Sequence, residues 1–229
     1  MRQWVFIHLP KTAGTSFQTA LRSIAGDDAV SPSFVASSLT EDYALRLDRY
    51  RIISGHISIN DVKRYFPSRS ILTILREPVE RCVSWYYFAR SIPLALGLPI
   101  DVVAAQHNAI AEFFAQDRPV VYRNVYNRQV RQLGDHALNP DADHRVALER
   151  AKQTLISAAW VGRQQSLDAD IDQLWERFPE WKGLTVAVLN QTQYPAPPGP
   201  LNADLLKTIR ALNQYDIELY EFAARTFFT

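Results

Sequence analysis

The chain has 229 residues, of which 47% are hydrophobic and 21% charged, and its formal net charge is +1. This length suits one α/β domain or two small ones, and the composition is that of an ordinary globular chain. The near-zero net charge argues against wholesale nucleic-acid binding, and the single cysteine excludes an internal disulfide. No His/Cys cluster has metal-ligand spacing, no apolar run could span a membrane and no signal peptide is recognised, so we expect a metal-free, cytoplasmic protein.

Short apolar runs of strand length alternate with helical patterns along the chain. Strands are predicted at Trp4–Leu9, Arg51–Ser54, Ser70–Leu75, Ala159–Gly162 and Leu184–Leu189. Helices are predicted from Phe17, after Thr40, after Ser58 and from Pro78, and then at Asp101–Phe114, Asn124–Leu133, His144–Ser157, after Ser166, at Asp204–Leu212 and at Asp216–Phe227. This alternation is typical of a mostly parallel sheet flanked by helices. We expect a single domain over 1–229, with a helical insertion at about 91–145 and a long proline-rich loop at 190–202.

The first strand runs into a tight turn and a helix at Phe6–Phe17. Gly14 can adopt backbone conformations closed to other residues, and the helix start offers N–H groups and a positive dipole end to an anion. Lys11 adds a full positive charge, and hydroxyls at positions 12, 15 and 16 add donors. The stretch predicts a phosphate-binding loop, although it is not a Walker A sequence because Lys11 precedes the glycine. The alternative is an ordinary βα turn with a surface lysine.

Polar side chains follow the first three predicted strands, at Lys11, His56 and Arg76. The carboxyl ends of parallel strands share one edge of the sheet, where ligands bind. A lysine, a histidine and an arginine at that edge indicate a site for a phosphorylated or sulfated ligand with a general base. His8 lies within the first strand and is expected to be buried structure rather than a catalyst. His107, His136 and His144 are expected at the surface.

Three segments carry a resemblance to a known family: IHLPKTAGTSF at 7–17, GHIS at 55–58 and LREPVERCVSWYY at 75–87. The chain resembles the carbohydrate sulfotransferases of the heparan sulfate/uronyl 2-O-sulfotransferase type, with weaker likeness at 151–181 and 213–228. The resemblance implies a P-loop-like sulfotransferase fold. It also implies transfer of a sulfuryl group from 3′-phosphoadenosine 5′-phosphosulfate (PAPS) to an acceptor hydroxyl, for which we expect a carbohydrate, leaving adenosine 3′,5′-bisphosphate.

The resemblance also implies a role for individual residues. Lys11 would neutralise charge on the leaving phosphate, Arg76 and Ser84 would hold the 3′-phosphate, and His56 would take the proton from the acceptor hydroxyl. Ser54 stands where members of the family often carry a second histidine, so the role of that imidazole is missing from this position. The loop that would wrap the 5′-phosphosulfate consists of Lys11, Thr12, Ala13, Gly14, Thr15 and Ser16.

The densest arginine cluster lies in the predicted insertion, at Arg118, Arg123, Arg128 and Arg131, with tyrosines between. We interpret it as a recognition surface for a glycan or glycoconjugate acceptor, in which Arg123 and Arg131 meet a carboxylate or sulfate. The alternative is a solvated helix face.

Three other functions fit parts of the pattern. A P-loop-like kinase of a small metabolite would need a magnesium-binding aspartate at a strand end, and none of the predicted strands ends in aspartate. A non-catalytic nucleotide-binding relative would keep the fold alone. The same transfer could also serve a lipid, a small metabolite or a tyrosine.

Overall fold

A computed structural model describes residues 2–134, 143–187 and 201–228. Several predictions fall on the other residues: most of the turn at 134–140 with His136, the end of the strand predicted at 184–189, and residues 190–200 of the proline-rich loop. They lie outside the described residues.

The described residues form one five-stranded sheet in which every strand is parallel to its neighbours. The strand order is β2-β3-β1-β4-β5. The predicted α/β class with a parallel sheet flanked by helices is confirmed. The strands are β1 (Trp4–Ile7), β2 (Phe34–Val35), β3 (Ile52–His56), β4 (Ser70–Leu75) and β5 (Trp160–Arg163).

Helices connect the strands and cover both faces of the sheet. The first group is α1 (Gly14–Ala25), α2 (Glu41–Leu47), α3 (Ile59–Tyr65), α4 (Pro78–Ser91), α5 (Ile100–His107) and α6 (Ile110–Phe114). The second group is α7 (Arg118–Val121), α8 (Arg128–Leu133), α9 (His144–Ser157), α10 (Leu167–Arg177), α11 (Ala203–Leu212) and α12 (Gln214–Phe227). Local signals set several starts, since Thr40 caps α2, Ser58 forms a capping box with Asp61 and Pro78 opens α4.

Alternation along β1 divides the core between the two faces of the sheet. Val5 and Ile7 pack with apolar residues of α9 and α12, whereas Trp4 and Phe6 pack with those of α1 and α10. A third apolar cluster joins α4, α5 and α11 beside the sheet. The sheet is therefore buried on both faces, and its carboxyl edge is where polar side chains can gather.

One predicted strand is wrong and one observed strand was not predicted. Residues 184–187 are not a strand. Leu184 is instead buried in the core, and its N–H bonds the Trp181 carbonyl at 3.0 Å. The strand that was not predicted is β2, which pairs with Gly55 and His56 of β3. Leu184, in the apolar run at 184–187, is therefore buried without pairing to another strand. The two-residue strand β2 is too short to show the alternation of apolar and polar residues that predicts a strand.

Two predicted helices are shorter than expected. The helix at 101–114 is split, because Asn108 is extended and its side-chain amide bonds the Ala104 carbonyl at 2.8 Å. The helix at 124–133 begins only at Arg128, because Asn127 takes a left-handed conformation with φ 42°. This late start places the N-terminus of α8 beside the sheet edge.

Candidate active site

The β1–α1 loop holds two non-glycine residues in the left-handed region, Lys11 with φ 68° and Ala13 with φ 66°. Each such residue costs ~1–2 kcal/mol relative to a right-handed conformation. The turn is held by Thr12, which is fully buried and donates its hydroxyl to the Leu9 carbonyl at 2.9 Å. Backbone strain of this kind concentrates at ligand-binding loops.

The N-terminus of α1 has no side-chain cap. Ala13 occupies the N-cap position, and its side chain carries no oxygen that could accept the N–H groups of the first turn. Gly14 follows and lies directly under the His8 ring, since a Cβ on Gly14 would fall 2.0 Å from His8 Cδ2. The loop therefore presents backbone donors and the positive end of a 12-residue helix, with Lys11 beside them.

His56 ends β3 in a defined tautomer. Its Nδ1 lies 2.8 Å from the main-chain oxygen of His8. A carbonyl oxygen only accepts hydrogen bonds, so Nδ1 carries the proton and Nε2 of the neutral ring keeps its lone pair. Burial lowers the pKa of His56; the hydrogen bond to His8 opposes that shift, and the charge of Arg128 adds to it. The ring is neutral at pH 7 and able to accept a proton.

Arg76, which follows β4, reaches the first loop. Its NH1 donates to the Lys11 carbonyl at 3.2 Å, so the junctions that follow β1 and β4 are in contact. Its Nε has no hydrogen-bond partner among the described residues and lies 3.6 Å from a Glu80 carboxylate oxygen. Burial lowers the pKa of Arg76, although an arginine remains charged at neutral pH.

The Lys11 ammonium lies 4.2 Å from the centre of the Phe88 ring. Burial, and then the charge of Arg76, lower the pKa of Lys11 to about 8. Ser84 is half-buried one helical turn before Phe88 on α4, so the two side chains share a helix face. That face of α4 is directed at the β1–α1 loop, because Phe88 contacts Lys11.

Two glutamines of α8 hold the junctions together. Gln129 brackets the main chain of Arg76, accepting from its N–H at 3.1 Å and donating to its carbonyl at 3.0 Å. Gln132 donates to the His8 carbonyl at 3.1 Å and to the Ile57 carbonyl at 2.8 Å. The sequence analysis missed both. The signal was present as two glutamines three residues apart in a helix that is otherwise apolar or basic.

The start of α8 is fixed in turn by α12. The carboxylate of Asp216 accepts from the N–H of Gln129 at 3.0 Å and of Val130 at 2.7 Å. Asn127 returns the contact by accepting from Tyr215 and Asp216 N–H groups at 3.1 and 3.2 Å. These reciprocal caps set the position of the glutamines.

The arginine cluster does not behave as one surface. Arg131 is fully buried, donates to the carbonyls of Tyr122 and Tyr126, and lies 3.5 Å from the Tyr122 ring centre. An acceptor cannot reach it, so the predicted acceptor contact of Arg131 is replaced by a structural role. Arg123 is exposed.

Arg128 affects the pKa of His56, which the sequence alone did not indicate. It is half-buried, its NH1 donates to the Arg123 carbonyl at 3.3 Å and its Nε has no hydrogen-bond partner among the described residues. Burial, and then the charges of neighbouring arginines, lower its pKa to about 9. Its positive charge in turn lowers the pKa of His56.

The remaining histidines divide between core and surface. His8 is buried as predicted, at 6% exposure, whereas His107 is exposed as predicted. His144 is also 6% exposed, so its predicted surface position is wrong. Its ring packs against those of Tyr126 and Tyr215, with centroids 5.1 and 6.0 Å away. An amphipathic helix pattern alone did not reveal that aromatic cluster.

Comparison with protein-family models gives no match, and neither does a search of curated proteins. Within the described ranges, no helix is long and apolar enough to cross a membrane. The same part of the chain contains no group of three or more His, Cys, Asp or Glu side chains placed to hold a metal ion. Functional inference therefore rests on the geometry of the sheet edge.

Proposed function

We propose that this protein is a PAPS-dependent O-sulfotransferase, with a P-loop-like sulfotransferase fold, that acts on a hydroxyl of a carbohydrate acceptor. The observation that carries the proposal is the state of His56. Its Nδ1–H is held by the His8 carbonyl, which leaves Nε2 as a base. It stands at the same sheet edge as the Lys11 loop and Arg76, which touch each other.

The residues at this edge fit a donor with two anionic ends. The uncapped start of α1 and the Lys11 ammonium suit the 5′-phosphosulfate. Arg76, whose side chain is 21% exposed, and Ser84 on the α4 face directed at the loop suit the 3′-phosphate. PAPS, when bound, supplies a sulfuryl group attached to a phosphate leaving group.

The chain's own groups then divide the work of transfer. His56 Nε2 accepts the proton of the acceptor hydroxyl, and its Nδ1–H bond to the His8 carbonyl stabilises the charged ring that results. Lys11 and the α1 N–H groups stabilise the negative charge that grows on the departing phosphate oxygen. The left-handed Lys11 and Ala13 hold these donors in place before the ligand arrives.

Arg128 takes the place of Arg131 as the inner arginine of the acceptor side. Its half-buried guanidinium and its influence on the pKa of His56 suit a carboxylate or sulfate near the reacting hydroxyl, with exposed Arg123 further out. An anionic glycan supplies both the reacting hydroxyl and the carboxylate or sulfate that would bind Arg128.

The first test is nucleotide binding measured by calorimetry on the full chain. Adenosine 3′,5′-bisphosphate is expected to bind at least tenfold more tightly than ADP with magnesium or adenosine 5′-monophosphate, because only it fills both anion subsites. Arg76→Gln should weaken it about tenfold or more, whereas exposed Arg145→Gln should not. Tighter binding of ADP with magnesium would favour the metabolite kinase.

The second test is transfer of radiolabelled sulfate from PAPS to a panel of neutral, carboxylated and sulfated glycans. The panel also includes lipids and tyrosine peptides. Turnover on an anionic glycan, lost in Arg128→Gln, would support the proposed acceptor. Bisphosphate binding without turnover on any hydroxyl would favour a non-catalytic nucleotide-binding relative.

A further inference from the structure

The His8 side chain is wedged between the anion-binding loop and His56. One side of its ring lies against Gly14, where a Cβ would sit 2.0 Å from Cδ2 and 2.1 Å from Nε2. Its ring centre is 4.1 Å from that of His56, at an angle of 31° between the planes.

The main chain of His8 joins the same partners. Its N–H donates to the Gly55 carbonyl at 3.0 Å, and its carbonyl accepts from His56 Nδ1 and from Gln132 Nε2. A shift of His8 would therefore move both the acceptor that fixes the tautomer of His56 and the ring packed beside it. The two effects act on the same imidazole.

The imidazole of His8 is not needed for hydrogen bonding within the described chain. Its Nδ1 is buried and has no partner there. Burial, then the charges of His56 and Lys11, lower the pKa of His8 to about 3, so it stays neutral. The charged group acting on the His56 ring is thus Arg128 of α8, whereas His8 acts on it through its main-chain carbonyl.

We propose that His8 is a positioning residue whose ring transmits the conformation of the Lys11–Ser16 loop to His56 and excludes water from the side of the His56 ring against which it packs. The inference rests on the proposed function in that it gives His56 the role of base. A change in the loop that displaces the His8 ring would therefore expose His56 through two direct ring contacts.

The test follows histidine ring nitrogens by ¹⁵N NMR across a pH titration of the full chain, and needs neither donor nor acceptor. In the parent protein, His56 is expected as a single Nδ1–H tautomer that titrates below 6.5. His8→Ala should raise the pKa of His56 toward 6.5, because water reaches the ring, while the main-chain carbonyl at position 8 keeps the Nδ1–H tautomer. His8→Phe keeps a planar buried ring and should preserve the lowered pKa of His56.

A second variant reaches His56 from the loop. Gly14→Ala places a methyl group where the His8 ring lies, so it should displace that ring and change the titration of His56. Ser23→Ala, on the same helix but bonded only to the Ala20 carbonyl, serves as the control and should leave His56 unchanged. In a His8→Ala background, Gly14→Ala should lose its effect, because the connecting ring is gone.

The inference is overturned if His8→Ala or Gly14→Ala leaves the titration of His56 as in the parent. It is also overturned if Gly14→Ala acts equally in the His8→Ala background. Should His8→Ala fail to fold, Gly14→Ala in the parent, compared with Ser23→Ala, decides. Failure of the sulfotransferase proposal would instead appear as absent bisphosphate binding while these NMR signatures persist.

Discussion

The sheet edge, where Lys11, His56 and Arg76 meet, and the adjoining helical layer of α8 and α12 are both rich in polar side chains. They differ in what those side chains touch. In the helical layer, buried Arg131 donates to two main-chain carbonyls and Asp216 accepts from two N–H groups. At the sheet edge, the start of α1 has no side-chain cap, and Nε2 of the neutral His56 ring keeps its lone pair.

The difference teaches that residue type does not separate a binding group from a structural one. Buried polar groups cost free energy unless their own chain satisfies them. Arg131 and Asp216 meet that demand with main-chain partners in the helical layer, and the layer holds the edge through Gln129 and Gln132. The edge leaves donors and a lone pair available to a ligand. Substitutions in the two regions should consequently fail in different ways.

The largest expected effect is at the base. His56→Ala should lower the turnover of sulfate transfer ~10²–10⁴-fold, because the acceptor hydroxyl loses its proton acceptor. Adenosine 3′,5′-bisphosphate affinity, measured by calorimetry, should change little. Exposed His107→Ala is the matched control. Full turnover in His56→Ala would remove this residue as the base and blur the contrast between the two regions.

The contrast is sharpest for two arginines. Arg131→Gln should lower the free energy of unfolding by ~3 kcal/mol, since its buried contacts in the helical layer are lost. Arg76→Gln should cost the fold less than ~1 kcal/mol while it weakens nucleotide binding. Urea denaturation of both variants measures this. Equal destabilisation by the two changes would contradict the division.

The last expected effect, ~1 kcal/mol per pH unit, is a pH dependence of stability from His8. Its pKa is about 3 in the folded chain against an ordinary value of 6.5, so the unfolded chain binds more protons between these values. Stability should therefore fall as the pH drops through that window, by ~1 kcal/mol per pH unit from this group. Below about 3 the contribution is fully lost.

Denaturation of the parent and His8→Phe at pH 7 and pH 5 isolates this contribution, because phenylalanine does not titrate. The stability of His8→Phe should fall less on acidification. Identical slopes in the two proteins would show that the His8 ring is not held neutral by the fold.

Much of the fold could be predicted because its signals are local. Strands β1, β3, β4 and β5 appear as apolar runs, and Thr40, Ser58 and Pro78 mark helix starts through contacts within three or four residues. Parallel pairing then brings the junctions at the ends of β1, β3 and β4 to one edge of the sheet, as the alternation of strands and helices already indicated. The strand prediction at 184–187 was wrong because an apolar run that includes the buried Leu184 has the same sequence pattern as a strand.

The amino-acid sequence by itself determined the α/β class, the positions of the main strands and the three polar junctions, since each depends on neighbouring residues. Only the tertiary structure decided that His8 packs on His56, that Gln132 joins their junctions and that Arg131 is buried. Those outcomes depend on partners 48 and 124 positions apart along the chain, or on burial in the assembled fold. Local patterns carry no record of such distant contacts, because packing selects them from many side chains of the same type.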